Sequence, residues 1–171
     1  NKISYLDTIF DKLKHTDGLI IDIRHNFGGS SDAVYYCIEK IIQDTLIGVQ
    51  WQDYKKNKFP IAKYHPMANN YKNPVVLLIN GLTYSAGENF ANLCKRIDHV
   101  TVIGDTTGGG GGVPESFTLP SGLILSLPTR EMLAYDDKHV EDNGIAPDIL
   151  VINKQSDIDN KIDKQFEYAM M

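Results

Sequence analysis

The segment Asn80-Gly81-Leu82-Thr83-Tyr84-Ser85-Ala86-Gly87-Glu88 places a serine where the apolar run Val75 to Ile79 gives way to a helical pattern. A hydroxyl at a helix N-terminus faces backbone N–H groups that lack partners and the positive end of the macrodipole, and both stabilise developing negative charge. A serine so placed suits nucleophilic attack, although a plain N-cap has the same neighbours and the segment alone leaves both readings open. A second turn, Phe27-Gly28-Gly29, follows the apolar run Leu19-Ile20-Ile21 and again precedes a helix. Glycines there let backbone N–H groups approach a ligand closely. If the two strands are neighbours, amides from both turns converge on one oxyanion, as acyl chemistry requires. Two ordinary strand-to-helix loops is the alternative.

Other constellations exclude chemistry. Cys37 and Cys94 lie far apart, and the sequence has no His-Glu-x-x-His or clustered carboxylate pattern, so nothing points to a metal. The five glycines Gly108 to Gly112 lack the Lys-Ser/Thr of a phosphate-binding loop. No cofactor is implied. Asp22 and Arg24 read as a structural pair.

The elements that must hold these residues can be read from periodicity. Leu6, Ile9, Phe10 and Leu13 recur at helical spacing, and Thr16-Asp17-Gly18 breaks the pattern before the strand at Leu19. Ser30-Ser31-Asp32 offers an N-cap for a helix marked by Val34, Cys37, Ile38, Ile41 and Ile42. A β-like stretch near Leu46 to Gln52 leads into a polar segment, Lys55 to Asn73, that reads as a long surface loop or flap. Pro74 to Asn80 is a strand, and Ala86, Phe90, Leu93, Cys94 and Ile97 lie on one face of the helix that begins near Ser85. Val100 to Ile103 is a further strand. Glu115 to Leu119 and Leu123 to Leu127 form a hairpin around Pro120-Ser121-Gly122, and Ile158, Ile162, Phe166 and Ala169 mark a closing amphipathic helix. Alternating strands and helices with these connections predict a largely parallel α/β fold.

A chain of 171 residues can bury one sizeable core, so a single domain over 1–171 is expected. Apolar residues make up 42% and charged residues 23%, as in ordinary globular proteins. With a net charge of -5 and no basic run, nucleic acid is not an expected partner. No apolar stretch approaches the roughly 20 residues that span a bilayer, so no transmembrane segment is expected. The chain starts at Asn1 almost directly on a helical pattern, which reads as a piece of a longer protein.

Four segments taken together resemble a known family. Leu19-Ile20-Ile21-Asp22-Ile23-Arg24-His25-Asn26-Phe27-Gly28-Gly29, Thr83-Tyr84-Ser85-Ala86-Gly87-Glu88, Ile103-Gly104-Asp105-Thr106-Thr107-Gly108-Gly109 and Glu141-Asp142-Asn143-Gly144-Ile145-Ala146-Pro147-Asp148 are similar, in order, to the signature segments of the C-terminal-processing (tail-specific) and tricorn-core serine peptidases. The resemblance covers about residues 17 to 152. It implies a ClpP/crotonase-like fold of stacked ββα units and hydrolysis of peptide bonds through an acyl-enzyme. Ser85 matches the nucleophile, and the backbone N–H groups of Ala86 and of Gly28 or Gly29 match the oxyanion hole.

The chain departs from the tail-specific pattern at the general base. Those members activate the serine with a lysine, and the matching position here is Gly110. Lys95 cannot replace it, because ten residues of helix at about 1.5 Å each carry it roughly 15 Å along the axis. The tricorn-like branch uses a histidine, supplied by a region upstream, and Glu141 matches the glutamate that orients it. His25 and His139 are the histidines nearest these segments, and both read better as solvated or packed residues; Glu88 reads as an early-helix carboxylate favoured by the dipole. The expected activity is a serine endopeptidase acting on peptides or proteins, with an upstream domain of the same protein completing the site. A non-catalytic relative binding a peptide or lipophilic ligand, and an acyl-CoA-processing crotonase, are the alternatives. Resemblance also places the protein in the periplasm or outside the cell.

Overall fold

The computed structural model describes residues 4–171. In chain order the elements are α1 (Ser4–Leu13), β1 (Leu19–Asp22), α2 (Ser31–Ile41), β2 (Leu46–Ile47), β3 (Trp51–Asp53), β4 (Lys63–Tyr64), β5 (Val75–Ile79), α3 (Ala86–Cys94), β6 (Val100–Gly104), β7 (Val113–Thr118), β8 (Ile124–Met132), β9 (Ile149–Leu150), α4 (Gln155–Asp159) and α5 (Lys164–Ala169).

β5 is apolar at all five positions, and the successive residues Leu77, Leu78 and Ile79 are fully buried, so both of its faces are covered. That is the pattern of a central parallel strand. It pairs with β1 on one side and β6 on the other, and β9 completes a parallel sheet of order β1-β5-β6-β9. The direct pairing of β1 and β5, with Asp22 opposite Leu78, meets the condition on which convergence of the two turns depends. The α/β layout expected from the alternation of elements is present, and it is the ClpP/crotonase-like fold that the resemblance implies. α2 and α3 pack on one another around Ile38, Ile41, Leu93 and Cys94. Cys37 and Cys94 are free thiols, and burial raises the pKa of both.

α5 lies against β5 and β6 and is tied to the end of β1 by Arg24. The guanidinium donates to both oxygens of Asp22, at 3.0 and 2.7 Å, and to Asp163 at 2.8 Å, which holds the start of the β1–α2 turn.

Several sequence expectations change in detail. The closing helix is two short ones: Lys161 adopts φ 58, and the Asp163 side chain accepts from Phe166 N–H at 3.1 Å to start α5 anew. Ile158 and Phe166 remain exposed, so their helical spacing does not mark a buried face. The stretch 46–52 splits at Gly48, whose N–H bonds Ala62, into β2, which pairs with β4, and β3, which pairs with β8. The 55–73 loop is anchored by β4 and by Tyr64 and Tyr71, both buried in the core. Tyr71 also donates its hydroxyl to Thr16 C=O. The hairpin is longer than its apolar alternation suggests, running as β7 and β8 with a bulge at Val113/Pro114.

β3 and β8 are joined on the face away from Trp51 by a buried carboxylate. Glu131 accepts from Gln52 at 2.8 Å and Lys56 at 2.6 Å, and its other oxygen meets His139 Nδ1 at 2.7 Å. Burial alone would push this carboxyl up, but the hydrogen bonds from Lys56, Gln52 and His139 outweigh it and hold the pKa at about 2. A group depressed in this way stabilises the fold above its unfolded pKa near 4.5, and loses that contribution as pH falls toward 2. Urea titrations of the wild type and of Glu131→Gln should therefore differ most above pH 5 and converge between pH 4.5 and about 2.

Candidate active site

The turn after β5 is built by side chains that replace missing backbone partners. Thr83 is fully buried; its hydroxyl donates to Ile23 C=O at 3.0 Å and accepts from Asn80 N–H at 3.1 Å. Asn80 Oδ1 in turn accepts from the N–H groups of Leu82 and His25, each at 3.1 Å. Tyr84 N–H donates to Asn26 C=O at 2.9 Å. The β1–α2 and β5–α3 turns are thus stitched into one unit.

At its centre Ser85 adopts φ 55 and ψ −117, a region that a residue with a Cβ occupies only under strain. It sits at the N-cap position of α3, yet its hydroxyl makes no capping hydrogen bond. A cap would turn the oxygen back onto the helix, whereas this oxygen stays available. Gly28, at φ 100, packs directly against it: a Cβ there would lie 2.6 Å from Ser85 Cβ, 3.0 Å from Oγ and 2.9 Å from Ala86 N. Glycine is required on both counts, left-handed backbone and close approach. The Gly28 N–H is engaged by Asn26 Oδ1 at 2.8 Å. The N–H groups of Gly29 and Ala86 have no acceptor among the described residues, so of the two glycines Gly29 has the free donor.

The glycine run lies under this turn. Ser85 N–H donates to Gly110 C=O at 3.0 Å, and Gly108 N–H to Thr83 C=O at 2.9 Å. What holds the run is Glu88, fully buried one turn into α3. Its carboxylate accepts from Gly109 N–H at 2.5 Å, from Gly110 N–H at 3.1 Å and from the Thr107 hydroxyl. Burial pushes its pKa up, while the bonds from Thr107, Gly110 and Gly109 work the other way. Its role is therefore larger than the dipole-favoured early-helix carboxylate expected from sequence. The signal available was a five-glycine run whose N–H groups need an acceptor.

Glu141 is held close by. Asp142 N–H bonds Gly109 C=O at 2.8 Å, and Glu141 Oε2 lies 3.5 Å from where a Cβ of Gly112 would stand. That oxygen is buried and has no hydrogen-bond partner among the described residues. Burial raises the pKa of both Glu88 and Tyr54, and the negative charge of Glu141 adds to each shift. The two histidines are elsewhere: His25 lines a cavity with Asp22, Arg24 and Asp105, and His139 is paired with Glu131. Lys95 is bound to Asp148 and lies over the Tyr135 ring.

Two cavities flank the serine turn and share Gly29 and Ala86. One, of about 380 Å³, is apolar and lined by Ile9, Phe10, Ile21, Val34 and Phe90. The other is a cleft of about 400 Å³ that contains Ser85 and is bounded by Tyr35, Trp51, Phe59, Asn89 and Arg130. A hydroxyl poised in a strained turn, two free amides beside it and an apolar cavity on one side can together perform acyl transfer.

Comparison with known proteins agrees with this geometry. The family model of peptidase family S41 matches residues 2–151. The carboxy-terminal processing protease CtpB of Bacillus subtilis is 27% identical over 146 residues, 84% of this chain and 29% of that protein. The tricorn protease homolog of Saccharolobus solfataricus is 29% identical over 160 residues, 91% of this chain and 14% of that protein. A crystal structure of a candidate peptidase from Parabacteroides merdae superposes with a TM-score of 0.85 at 30% identity, covering 98% of this chain and 55% of that one. The chain spans less than a third of the length of the curated relatives it matches.

Gly110, the position that the sequence resemblance matches to the lysine of tail-specific peptidases, is closely covered: a Cβ there would fall 1.7 Å from Tyr84 Cζ and 2.0 Å from its hydroxyl. Gly110→Lys should therefore destabilise the protein by about 1–3 kcal/mol, as overpacking does. Adding Tyr84→Ala should recover most of the loss, and denaturant titration of the two single variants and the double variant measures that coupling.

Proposed function

Because the chain belongs to peptidase family S41, we propose that it forms the catalytic core of a serine peptidase in which Ser85 is the nucleophile. The observation that carries this reading is the strained, uncapped Ser85 with Gly28 packed against its Cβ. Ser85 Oγ attacks the substrate carbonyl carbon as a base takes its proton. The carbonyl oxygen becomes an oxyanion, held by the Ala86 and Gly29 N–H groups. Collapse expels the amine with that proton and leaves an acyl-enzyme, which water then cleaves by the same steps in reverse roles. The apolar cavity beside Gly29 and Ala86 suits an apolar side chain next to the scissile bond.

The base in this proposal is a histidine from an upstream region of the same protein. Glu141 supports that choice, because a buried carboxylate oxygen without a partner is costly unless a donor reaches it. An imidazole N–H on Glu141 satisfies the oxygen, fixes the tautomer and stabilises the imidazolium formed during attack. The place of action proposed from resemblance, the periplasm or cell exterior, is checked by fractionation.

Casein or labelled-peptide hydrolysis and fluorophosphonate labelling should be measured on this chain and on the full-length parent. The parent is expected to be active and labelled, and Ser85→Ala should abolish both signals. This chain should fold yet hydrolyse about 10²- to 10⁴-fold more slowly, the usual effect of losing a general base. Glu141→Gln in the parent should lower kcat with KM little changed. An inactive, unlabelled parent that takes up an apolar ligand would favour the binding-protein reading, to which the 380 Å³ apolar cavity is suited.

A further inference from the structure

The apolar cavity beside Gly29 and Ala86 has one wall unlike the others. Most of it is formed by β1, α2 and α3, and α2 and α3 pack on one another in the core. The remaining wall is α1, which turns Leu6, Ile9, Phe10 and Leu13 into the cavity at the spacing of one helix face. Of these four only Phe10 is buried; the other three stay half-buried, as do Ile20 and Ile21 of β1. Apolar side chains that face one another across a gap forgo the contacts that close packing would give. A tether is needed to keep α1 at this distance.

Lys40 of α2 supplies it. Its side chain is 1% exposed, a rare place for an ammonium, and its counter-charge is Asp7 of α1 at 2.6 Å. The same ammonium donates to Asn69 Oδ1 at 3.0 Å and stands 5.6 Å from the centre of the Tyr36 ring. Tyr36 in turn bonds the Asp7 carboxylate, which, with burial, pushes the tyrosine pKa up to about 12. No other ion pair ties α1 to its neighbours among the described residues. Asp7 directly follows Leu6 and lies one turn before Phe10, so the point at which its carboxylate is held fixes how far both reach into the cavity.

We propose that Asp7 and Lys40 are specificity-determining positioning residues: their ion pair sets the separation of α1 from β1 and α2, and with it the size of the apolar side chain that the cavity accepts. This rests on the peptidase reading of Ser85, in which a substrate side chain enters that cavity, and adds what limits its size. Neither residue touches the substrate. A buried ammonium deprived of its counter-charge is strongly unfavourable, so loss of Asp7 drives Lys40 toward water and releases α1. The Ser85 turn is spared, because Thr83, Asn80 and Glu88 hold it without α1.

The test uses the full-length parent. Casein cleavage mapped by mass spectrometry first gives the apolar residue beside the scissile bond, and peptides of one such sequence are then made with leucine or tryptophan at that residue. In Asp7→Asn the ratio of kcat/KM for leucine over tryptophan should fall about tenfold, the low end of what a changed pocket contact gives. The change should lie in KM, with kcat kept. Amide exchange of residues 4–13 should rise while that of β5 stays as in the wild type, which separates a released α1 from a general loss of fold. Tyr36→Phe, which removes one bond to Asp7 and leaves the ion pair, should give a smaller shift in the same direction, and it serves if Asp7→Asn does not fold. Asp11→Asn, at an exposed carboxylate of the same helix, should change nothing. An unchanged ratio, a change carried by kcat, or one that Asp11→Asn or Asp7→Glu reproduces in full overturns the proposal. A parent that cleaves neither casein nor the peptides removes the peptidase reading itself, and this inference with it.

Discussion

The glycine run from Gly108 to Gly112 has no side chains with which to define its own path, so its conformation depends on where its backbone groups find partners. A single buried carboxylate decides this. Glu88 gathers the N–H groups of Gly109 and Gly110 and the Thr107 hydroxyl, and the Thr107 oxygen in turn accepts from Ile145 N–H at 2.6 Å. Three stretches far apart in sequence, 83–85, 107–110 and 142–145, are locked together through that one side chain. Ser85 gains from this indirectly, because the Gly110 carbonyl that receives its N–H is held from below. The strain of a positive φ at Ser85 persists because the surroundings over-determine it, through Asn26, Thr83 and Gly110.

The same arrangement bears on the kind of base the site accepts. Tyr84 fills the volume into which a side chain at Gly110 would project, so a lysine on this loop and the observed ring position exclude one another. Instead two carboxylates lie near the run, Glu88 saturated with donors and Glu141 with a buried oxygen that has none. Burial and, to a smaller extent, the charge of Glu141 raise the pKa of Glu88, and a cation placed at Glu141 would relieve the second effect. In the proposed mechanism the imidazolium is that cation. It exists only while the proton is off the serine, so the electrostatic gain falls on the transition state more than on the resting enzyme.

Much of the scaffold was legible in the sequence, because parallel strands buried on both faces read as unbroken apolar runs and helices as 3.6-residue patterns. Val75–Ile79 was visible for that reason, Leu19–Ile21 is an apolar run at the half-buried sheet edge, and the turns after Leu19–Ile21 and Val75–Ile79 were marked by Gly28-Gly29 and Ser85-Ala86-Gly87. The C-terminal helix was misread because Ile158, Ile162 and Phe166 carry helical spacing without burial, and because a positive φ at Lys161 leaves no mark in sequence. Within the site, the conformation of Ser85 and the engagement of Gly28 by Asn26 depend on tertiary contacts that no local pattern encodes.

The cleft and the apolar cavity meet at Gly29 and Ala86, the same two residues whose N–H groups lack acceptors. In the proposed mechanism a carbonyl bound to those amides has one substituent directed toward each space, since the plane of an amide sends its two arms to opposite sides. One arm meets Ile21, Val34 and Phe90, the other Trp51, Asn89 and Arg130. Selectivity in such a site comes from the pair of arms together. An apolar group suits the first space, whereas a charged group directed there is buried among aliphatic side chains. That penalty is large, because a charge without a partner in an apolar cavity is far less tolerable than a missing contact. In the proposed peptidase, the direction in which a peptide lies across Ser85 thus follows from the difference between two cavities that share one wall.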